Sequence, residues 1–462
     1  MSHHQAGSFK QAESYYQQIL GTQPDNAEAN HLLGLMAHQL GNNEIAVQLI
    51  SKAVRKAPNI PQYHYNLGNV LHDQGRLGEA VTSYQRAIEI KPDGAEAHIN
   101  LGNVLQEQGK GDDAISCFKK ALEIKPDNAL AHYNLGNALM ESGQLEDAVE
   151  RFRKALEINQ DYPQCHNNLG HVLKNLGRLD GAMTCFRKAI EIQPDYAEAH
   201  GNLGHALYEH GQLKEALAAF RHALELDPKN ATARHMVSAI SGKTTEAAPR
   251  DYVRKLFNDF APSFEKQLVD DLGYRMPSLM RQAVDKKLGA GGVFGRALDL
   301  GCGTGLVAEK FRDIVGEFHG VDLSRWMIEL AKEKGCYDGL FIEDILEFLE
   351  NPDRVAVPYD LILAADLFVY IGNLAPVFAA VRRVLTVGGS FVFSVEGLEQ
   401  GSYRLLDTGR YSHGEAYIRG LASEYGFSVE LRDHIPIRKD KEGSWVPGIL
   451  FLLQTVDIPQ VD

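Results

Sequence analysis

The sequence predicts two architectures in one chain: an α-solenoid of repeated helix pairs, then an α/β domain on a mainly parallel sheet. Three observations predict them. Prolines recur every 34 residues through the first half. Apolar residues between them fall at helical spacing. Beyond residue 290, short apolar runs alternate with helical patterns, and the first run leads into a glycine-dense turn, RALDLGCGTGL.

A fixed period runs through the first half and sets its architecture. Pro24, Pro58, Pro92, Pro126, Pro194 and Pro228 mark it, with Gln160 in the vacant place. Gly34, Gly68, Gly102, Gly136, Gly170 and Gly204 keep the same period. Twelve residues after each stands Ala46, Ala80, Ala114, Ala148, Ala182 or Ala216. Ala148, Phe152 and Ala155 show the spacing i, i+4, i+7, one face of a helix. Gly143 permits the turn between paired helices, as Gly41, Gly75, Gly109, Gly177 and Gly211 do elsewhere. Six full repeats are expected, with a truncated one before Pro24 (Ala12, Tyr16) and a closing helix after Pro228. The pattern resembles the tetratricopeptide repeat over about 240 residues.

Such solenoids present a concave surface. Asn66, Asn100, Asn134, Asn168 and Asn202 stand two positions before the repeat glycine, and Asn69, Asn103 and Asn137 one after it. Asparagine both donates and accepts, which matches a peptide unit. The row resembles the asparagine ladder of O-linked N-acetylglucosamine transferase, and it implies a protein or peptide partner; a passive spacer is the alternative. His64, His98, His132, His166 and His200 share the period, but neighbouring repeats lie about 10 Å apart. A metal with bonds of about 2 Å does not bridge that distance, so packing is expected and no metal.

A chain of 462 residues needs more than one core. The domains expected are 1–240 (repeats and closing helix), a linker at 241–250, and 251–462. Net charge is −14, of which residues 251–462 carry −9 and residues 1–250 carry −5. Neither part offers the basic surface that nucleic acid needs. No membrane span and no secretion signal are expected. Five cysteines (117, 165, 185, 302, 336) form no C-x-x-C, so a cytoplasmic protein is the expectation.

In the second half, strands are expected at Arg296–Leu300, Phe318–Leu323, Leu340–Ile342, Tyr359–Ala365 and Ser390–Glu396. An antiparallel pair is expected at Phe427–Ile437 and Trp445–Thr455. A doubly wound sheet of this kind holds ligands at the carboxyl ends of its strands. The turn reads Asp299-Leu300-Gly301-Cys302-Gly303-Thr304-Gly305, which is G-x-G-x-G, with Leu306 in the place of the third dinucleotide-fingerprint glycine. An acid at its entrance disfavours pyrophosphate and favours a ligand bearing an ammonium and a sulfonium. The segment resembles motif I of class I S-adenosylmethionine-dependent methyltransferases, which implies a Rossmann-like seven-stranded fold and that cofactor. Cys302 is expected as a packing residue.

The resemblance assigns Asp299, Gly301, Gly303, Gly305, Asp322, Leu323, Ser324, Met327, Asp344, Ile345 and Asp366 to the cofactor. It places Asp322 on the ribose hydroxyls, Leu323 and Met327 beside Ser324 around the adenine, and Asp344 on the exocyclic amine. Base candidates are His413, expected in a lid between two helical elements, then Glu396 and Asp366 at strand ends. Tyr274, Tyr370 and Tyr411 are expected to meet the acceptor. Val253, Leu256, Phe257, Phe260 and Phe264 suggest an amphipathic helix pair over the cofactor. Two functions follow as expectations: methylation of a protein captured by the repeats, or of a small molecule with the repeats used for docking or oligomerisation. A nonenzymatic scaffold is the third.

Overall fold

The computed structural model describes residues 9–261, 264–288, 292–440 and 443–457. Contacts divide the chain into two compact units, residues 1–210 and 211–462.

The first unit is a run of antiparallel helix pairs, from Phe9–Thr22 to Ala197–Glu209. Within a repeat the first helix has 13 residues and the second 14, as in Ala129–Glu141 and Leu145–Ile158. Gly143 joins these two with φ of 77°, a conformation glycine adopts without strain. The repeat glycine permits close packing. A Cβ at Gly136 would lie 2.7 Å from the Phe152 ring, and one at Gly102 would lie 2.6 Å from Phe118. Phe118, Phe152 and Phe186 are fully buried against these gaps, flanked by buried Ala114, Ala148 and Ala182. The recurring histidines hold the repeats locally. His64, His98, His132, His166 and His200 each bond through Nε2 to the carbonyl six residues earlier, at 2.9–3.2 Å.

The second unit opens with helices Leu213–Leu226 and Ala231–Ile240. Its strands are β1 (Phe294–Leu300), β2 (Val315–Asp322), β3 (Gly339–Ile342), β4 (Tyr359–Ala364), β5 (Leu385–Leu398), β6 (Tyr403–Leu405), β7 (Tyr411–Gly414), β8 (Phe427–Lys439) and β9 (Trp445–Thr455). Strands β3-β2-β1-β4-β5 run parallel; β9 lies antiparallel on β5, and β8 antiparallel on β9. These seven are the expected sheet. Alternation divides its two cores. Leu298, Leu300, Ile362, Phe391, Phe393 and Phe451 face helices 345–350, 375–384 and 415–424. Ala297, Phe318, Leu361, Leu363 and Val392 face helices 276–288 and 306–311. By the same period of two, Asp299 shares the face of Ala297, so the sheet carries an acid near the carboxyl end of β1, an inner strand between β2 and β4.

Two features depart from expectation. Residues 411–414 form no lid between helices: β5 runs on past Glu396, and β7 pairs with its end, Glu396 opposite Ser412 and Gly397 opposite His413. Four residues are too few to show a period. The expected linker is also held in place. Ala248 N donates to Tyr370 O (2.9 Å), Gly372 N to Glu246 O (2.7 Å), and Leu405 N to Thr244 Oγ1 (3.3 Å). Helix Arg250–Phe260 follows, then a π-helical segment at Lys266–Asp271. The side chain of Phe260 lies outside the described residues.

Candidate functional site at the strand ends

The turn after β1 is built by three glycines with φ of 68°, 53° and 87° at 301, 303 and 305. Gly301 N and Cys302 N donate to Val321 O, binding the turn to β2. A Cβ at Gly301 would come within 2.9 Å of Leu367, whereas one at Gly303 would meet nothing within 4 Å. The turn is therefore packed below and open above. Asp322, ending β2, accepts from Gly303 N (3.0 Å) and Ser324 N (2.8 Å), which fixes its carboxylate beside the turn. Burial raises its pKa, and those N–H groups oppose the rise.

Asp299 is fully buried. Its Oδ2 accepts from the Tyr337 hydroxyl at 2.6 Å, and its Oδ1 is buried without a hydrogen-bond partner among the described residues. Burial pushes its pKa up to about 7; the Tyr337 bond pulls down and Asp322 pushes further up. An orphaned carboxylate oxygen is costly unless a donor or cation meets it. Cys302 is buried, and its thiol is held well above its ordinary range by burial, then Asp322 and Asp299.

Beside Asp322 lies a cavity of about 280 Å³, lined by Arg250, Arg254, Asn258, Leu323, Arg325, Ile342, Glu343, Asp344 and Glu347. Leu323 and Asp344, two of the residues expected around the adenine, are among its lining. Asp344 Oδ1 caps helix Ile345–Glu350 through Leu346 N (2.9 Å), and its Oδ2 pairs with Arg250 Nε (3.0 Å). Ser324, Met327 and Ile345 do not line the cavity. Ser324 is a buried N-cap, accepting from Met327 N (3.2 Å) and donating to Asn258 Oδ1 (2.7 Å); Met327 and Ile345 turn into the core. Arg250, Arg254 and Asn258 were missed. They stand at i, i+4 and i+8, a polar stripe on the helix read only for its apolar face.

At the carboxyl ends of β4 and β5 the structure gathers Asp366, Tyr370, Glu396 and Tyr274 around two arginines without a sequence signal. Arg410 Nη2 donates to both Asp366 oxygens (2.9 and 3.1 Å), and Arg410 Nε donates to Glu396 Oε1 (2.7 Å). Arg438 Nη2 reaches the same Oε1 at 2.9 Å. Burial would lower the Arg410 pKa, but Asp366, Tyr370 and Glu396 outweigh it and hold the guanidinium charged. Asp366 has φ of 53°, rare for a non-glycine residue. Its N–H donates to Ser394 Oγ, and Arg410 clamps its side chain. The Tyr274 hydroxyl, deeply buried, is raised well above its ordinary pKa by burial, Asp366 and Asp299.

His413 and Tyr411 are not part of this group. His413 is fully buried; its Nε2 bonds Ile371 O (2.9 Å) and Gly372 O (3.0 Å), so Nε2 carries the proton, and burial holds its pKa at about 4. That ring closes a turn; its Nδ1 carries no proton but is buried, unpartnered among the described residues and closed to an incoming acceptor. Tyr411 is also fully buried and bonds Thr245 Oγ1. Both sit on β7, whose pairing turns them inward.

The asparagine row is bonded to itself across repeats. Asn100 donates to Asn69 Oδ1 (3.0 Å), Asn134 to Asn103 Oδ1 (2.8 Å) and Asn168 to Asn137 Oδ1 (2.8 Å). Asn202 donates to Asn167 Oδ1 instead (2.9 Å), and Asn66 bonds His31 Nε2 (2.7 Å). These bonds use the oxygens of Asn69, Asn103 and Asn137 and leave their NH₂ groups without a partner among the described residues.

Comparison with known proteins finds both the repeats and the α/β domain. Residues 68–211 match the TPR repeat family in four overlapping stretches; residues 2–59 and 197–230 match tetratricopeptide repeat families. Residues 297–389 match the methyltransferase domain family. The chain is 26% identical over 229 residues to the biotin biosynthesis bifunctional protein BioHC of Teredinibacter turnerae, covering 44% of this chain and 39% of that protein. It is 25% identical over 151 residues to the malonyl-(acyl-carrier protein) O-methyltransferase of Bacillus anthracis, covering 32% and 53%. The chain thus spans about half the length, or less, of these relatives. Among solved structures, YrrB, described as a TPR protein with an unusual peptide-binding site, is 27% identical, with a TM-score of 0.36 over 40% of this chain and 96% of that one. The chain is a tetratricopeptide-repeat array joined to a methyltransferase domain.

Proposed function

We propose that the second unit transfers the methyl group of S-adenosylmethionine to an oxygen that is already anionic, a carboxylate, and that the repeats recruit the protein bearing it. The observation that carries the donor reading is Asp299: a buried carboxylate with one unpartnered oxygen at the mouth of a glycine turn that is open above Gly303. That arrangement fits a ligand with an ammonium group. Asp322 would hold the ribose hydroxyls, and Leu323, Ile342 and Asp344 would line the adenine end. The bound donor supplies a methyl group on a positively charged sulfur, activated for in-line displacement.

The acceptor reading rests on the state of the candidate bases. His413 is buried with its proton on Nε2, Asp366 is clamped by Arg410, and Glu396 Oε1 is shared by two guanidiniums. An alcohol or ammonium acceptor needs a base that takes its proton; a carboxylate does not. Arg410 and Arg438 bring guanidinium groups to the strand ends, where Asp366 and Glu396 balance their charge, and an acceptor carboxylate would compete with those two for them. The malonyl group in the Bacillus relative's name is an acid of this class. Peptide capture is supported by the NH₂ groups of Asn69, Asn103 and Asn137, repeated at constant spacing.

Calorimetry tests the donor: micromolar binding of S-adenosylmethionine is expected, and Asp322→Ala should abolish it. The acceptor is tested by incubating cell extract with methyl-labelled donor and the full-length protein. Label on protein that mild alkali releases as volatile methanol supports a methyl ester. Alkali-stable label overturns the carboxylate reading, and label confined to small molecules overturns recruitment by the repeats.

A further inference from the structure

We propose that Tyr337 is a positioning residue for the methyl donor: its hydroxyl holds one oxygen of Asp299, so that the other is presented to the ligand's ammonium group. The inference rests on the donor reading above and adds a residue outside the turn and the strand ends.

Tyr337 donates to Asp299 Oδ2 at 2.6 Å, and Oδ1 is the oxygen left buried and unpartnered. One bond therefore decides which way the carboxylate faces. The phenol is itself held from several sides. A Cβ at Gly305 would lie 3.2 Å from its Cε2, and one at Gly320 would lie 3.0 Å from its Cε1. The ring thus rests on two glycines, the last of the turn and one in the middle of β2. Phe318 meets it edge-on, with centroids 5.1 Å apart. The next residue fixes the backbone: Asp338 N donates to Phe318 O (2.8 Å), Phe318 N to Asp338 Oδ2 (2.7 Å), and Arg312 pairs with the same carboxylate (2.6 Å). A side chain pinned this firmly, ending in a single hydrogen bond to a buried acid, serves to orient that acid.

The titratable groups around Asp299 are Asp322 from β2, the Cys302 thiol from the turn, Tyr337 itself, and Tyr274 from the segment before helix 276–288. Apart from Tyr337, none of them favours the ionised form of Asp299. Removing the phenol hydroxyl therefore leaves the carboxyl holding its proton to higher pH, and a neutral carboxyl attracts no ammonium.

The test is calorimetry on the full-length protein, wild type against Tyr337→Phe, with S-adenosylhomocysteine and with 5′-methylthioadenosine, which lacks the amino-acid end. The variant keeps the ring and its packing. Expected is a loss of roughly tenfold for S-adenosylhomocysteine at pH 6.5 to 7, shrinking by pH 8, with 5′-methylthioadenosine unchanged. Equal affinities of wild type and variant for S-adenosylhomocysteine overturn the inference. So does a loss that is independent of pH or shared by 5′-methylthioadenosine, since a general distortion of the site predicts both. Failure of the wild type to bind either ligand overturns the donor reading itself, and this inference with it.

Discussion

Replacing Asp299 by Asn should separate stability from ligand binding. The unfolded carboxyl ionises near 4 and the folded one near 7, so the folded state keeps its proton across that interval. The stability carried by the protonated form is present below pH 4 and is lost as pH rises to 7. Above pH 7 the buried charge costs on the order of 1–4 kcal/mol. Asp299→Asn is therefore expected to raise the urea midpoint of the second unit at pH 8, to leave it nearly unchanged at pH 4, and to abolish binding of S-adenosylmethionine. No gain at pH 8 would show that the carboxylate is solvated. His413 has the opposite sign. Its folded pKa of about 4 lies below the unfolded 6.5, so its contribution is present above pH 6.5 and lost as pH falls toward 4. His413→Leu should cost roughly 1–3 kcal/mol at pH 7.5 by leaving the Ile371 and Gly372 carbonyls unpaired, with the deficit narrowing toward pH 5 and donor affinity unchanged. A loss of donor affinity at constant stability would return His413 to the site.

Single elements carry the next set of consequences. In the repeats, Phe152 fills the space left by Gly136, so Phe152→Ala should cost about 3–5 kcal/mol, and Gly136→Val about 1–3 kcal/mol by collision with the same ring. Because repeats contact mainly their neighbours, hydrogen exchange should rise around residues 129–158 and stay at its wild-type level in the methyltransferase domain. Uniform exchange through the chain would contradict that locality. The 34-residue spacing made this much legible from sequence. Ribbon β6–β7 was not legible, because four-residue strands have no period and their partner, the far end of β5, extends beyond its own apolar run. His413 was misplaced for that reason. Arg250, Arg254 and Asn258 were legible in principle, since their spacing is helical and they form the polar stripe of a helix whose other face is apolar.

At the scale of the molecule, the closing helix belongs with the second unit. His235 is buried and bonds Gly409 O at 2.9 Å, and Ala239 joins Ala248, Tyr252, Tyr370 and Tyr411 in one cluster. A fragment of residues 241–462 loses His235 and Ala239; a fragment of residues 211–462 keeps them. The shorter piece is expected to melt about 5–10 °C lower than the longer, which calorimetric scans of both would show. Equal melting temperatures would restore the boundary to residue 240. Arg410 lies between Gly409 and Tyr411, each held by this segment, so the shorter piece should also lose labelled methyl transfer before it loses donor binding.

Among the described residues no helix is long and apolar enough to cross a membrane. The sequence by itself determined the repeat, the positions of seven strands and the glycine turn, because each is written in local periodicity or in residues adjacent along the chain. It also placed Asp299, Asp322 and Asp344 at strand ends. Only the tertiary structure decided what those residues face. Burial left one oxygen of Asp299 unpartnered and gave the other to Tyr337, 38 positions away. Pairing across 44 residues brought Arg410 onto Asp366, and β7 turned His413 inward. Contacts of that kind depend on which segments a sheet brings together, and no short stretch of sequence contains both partners.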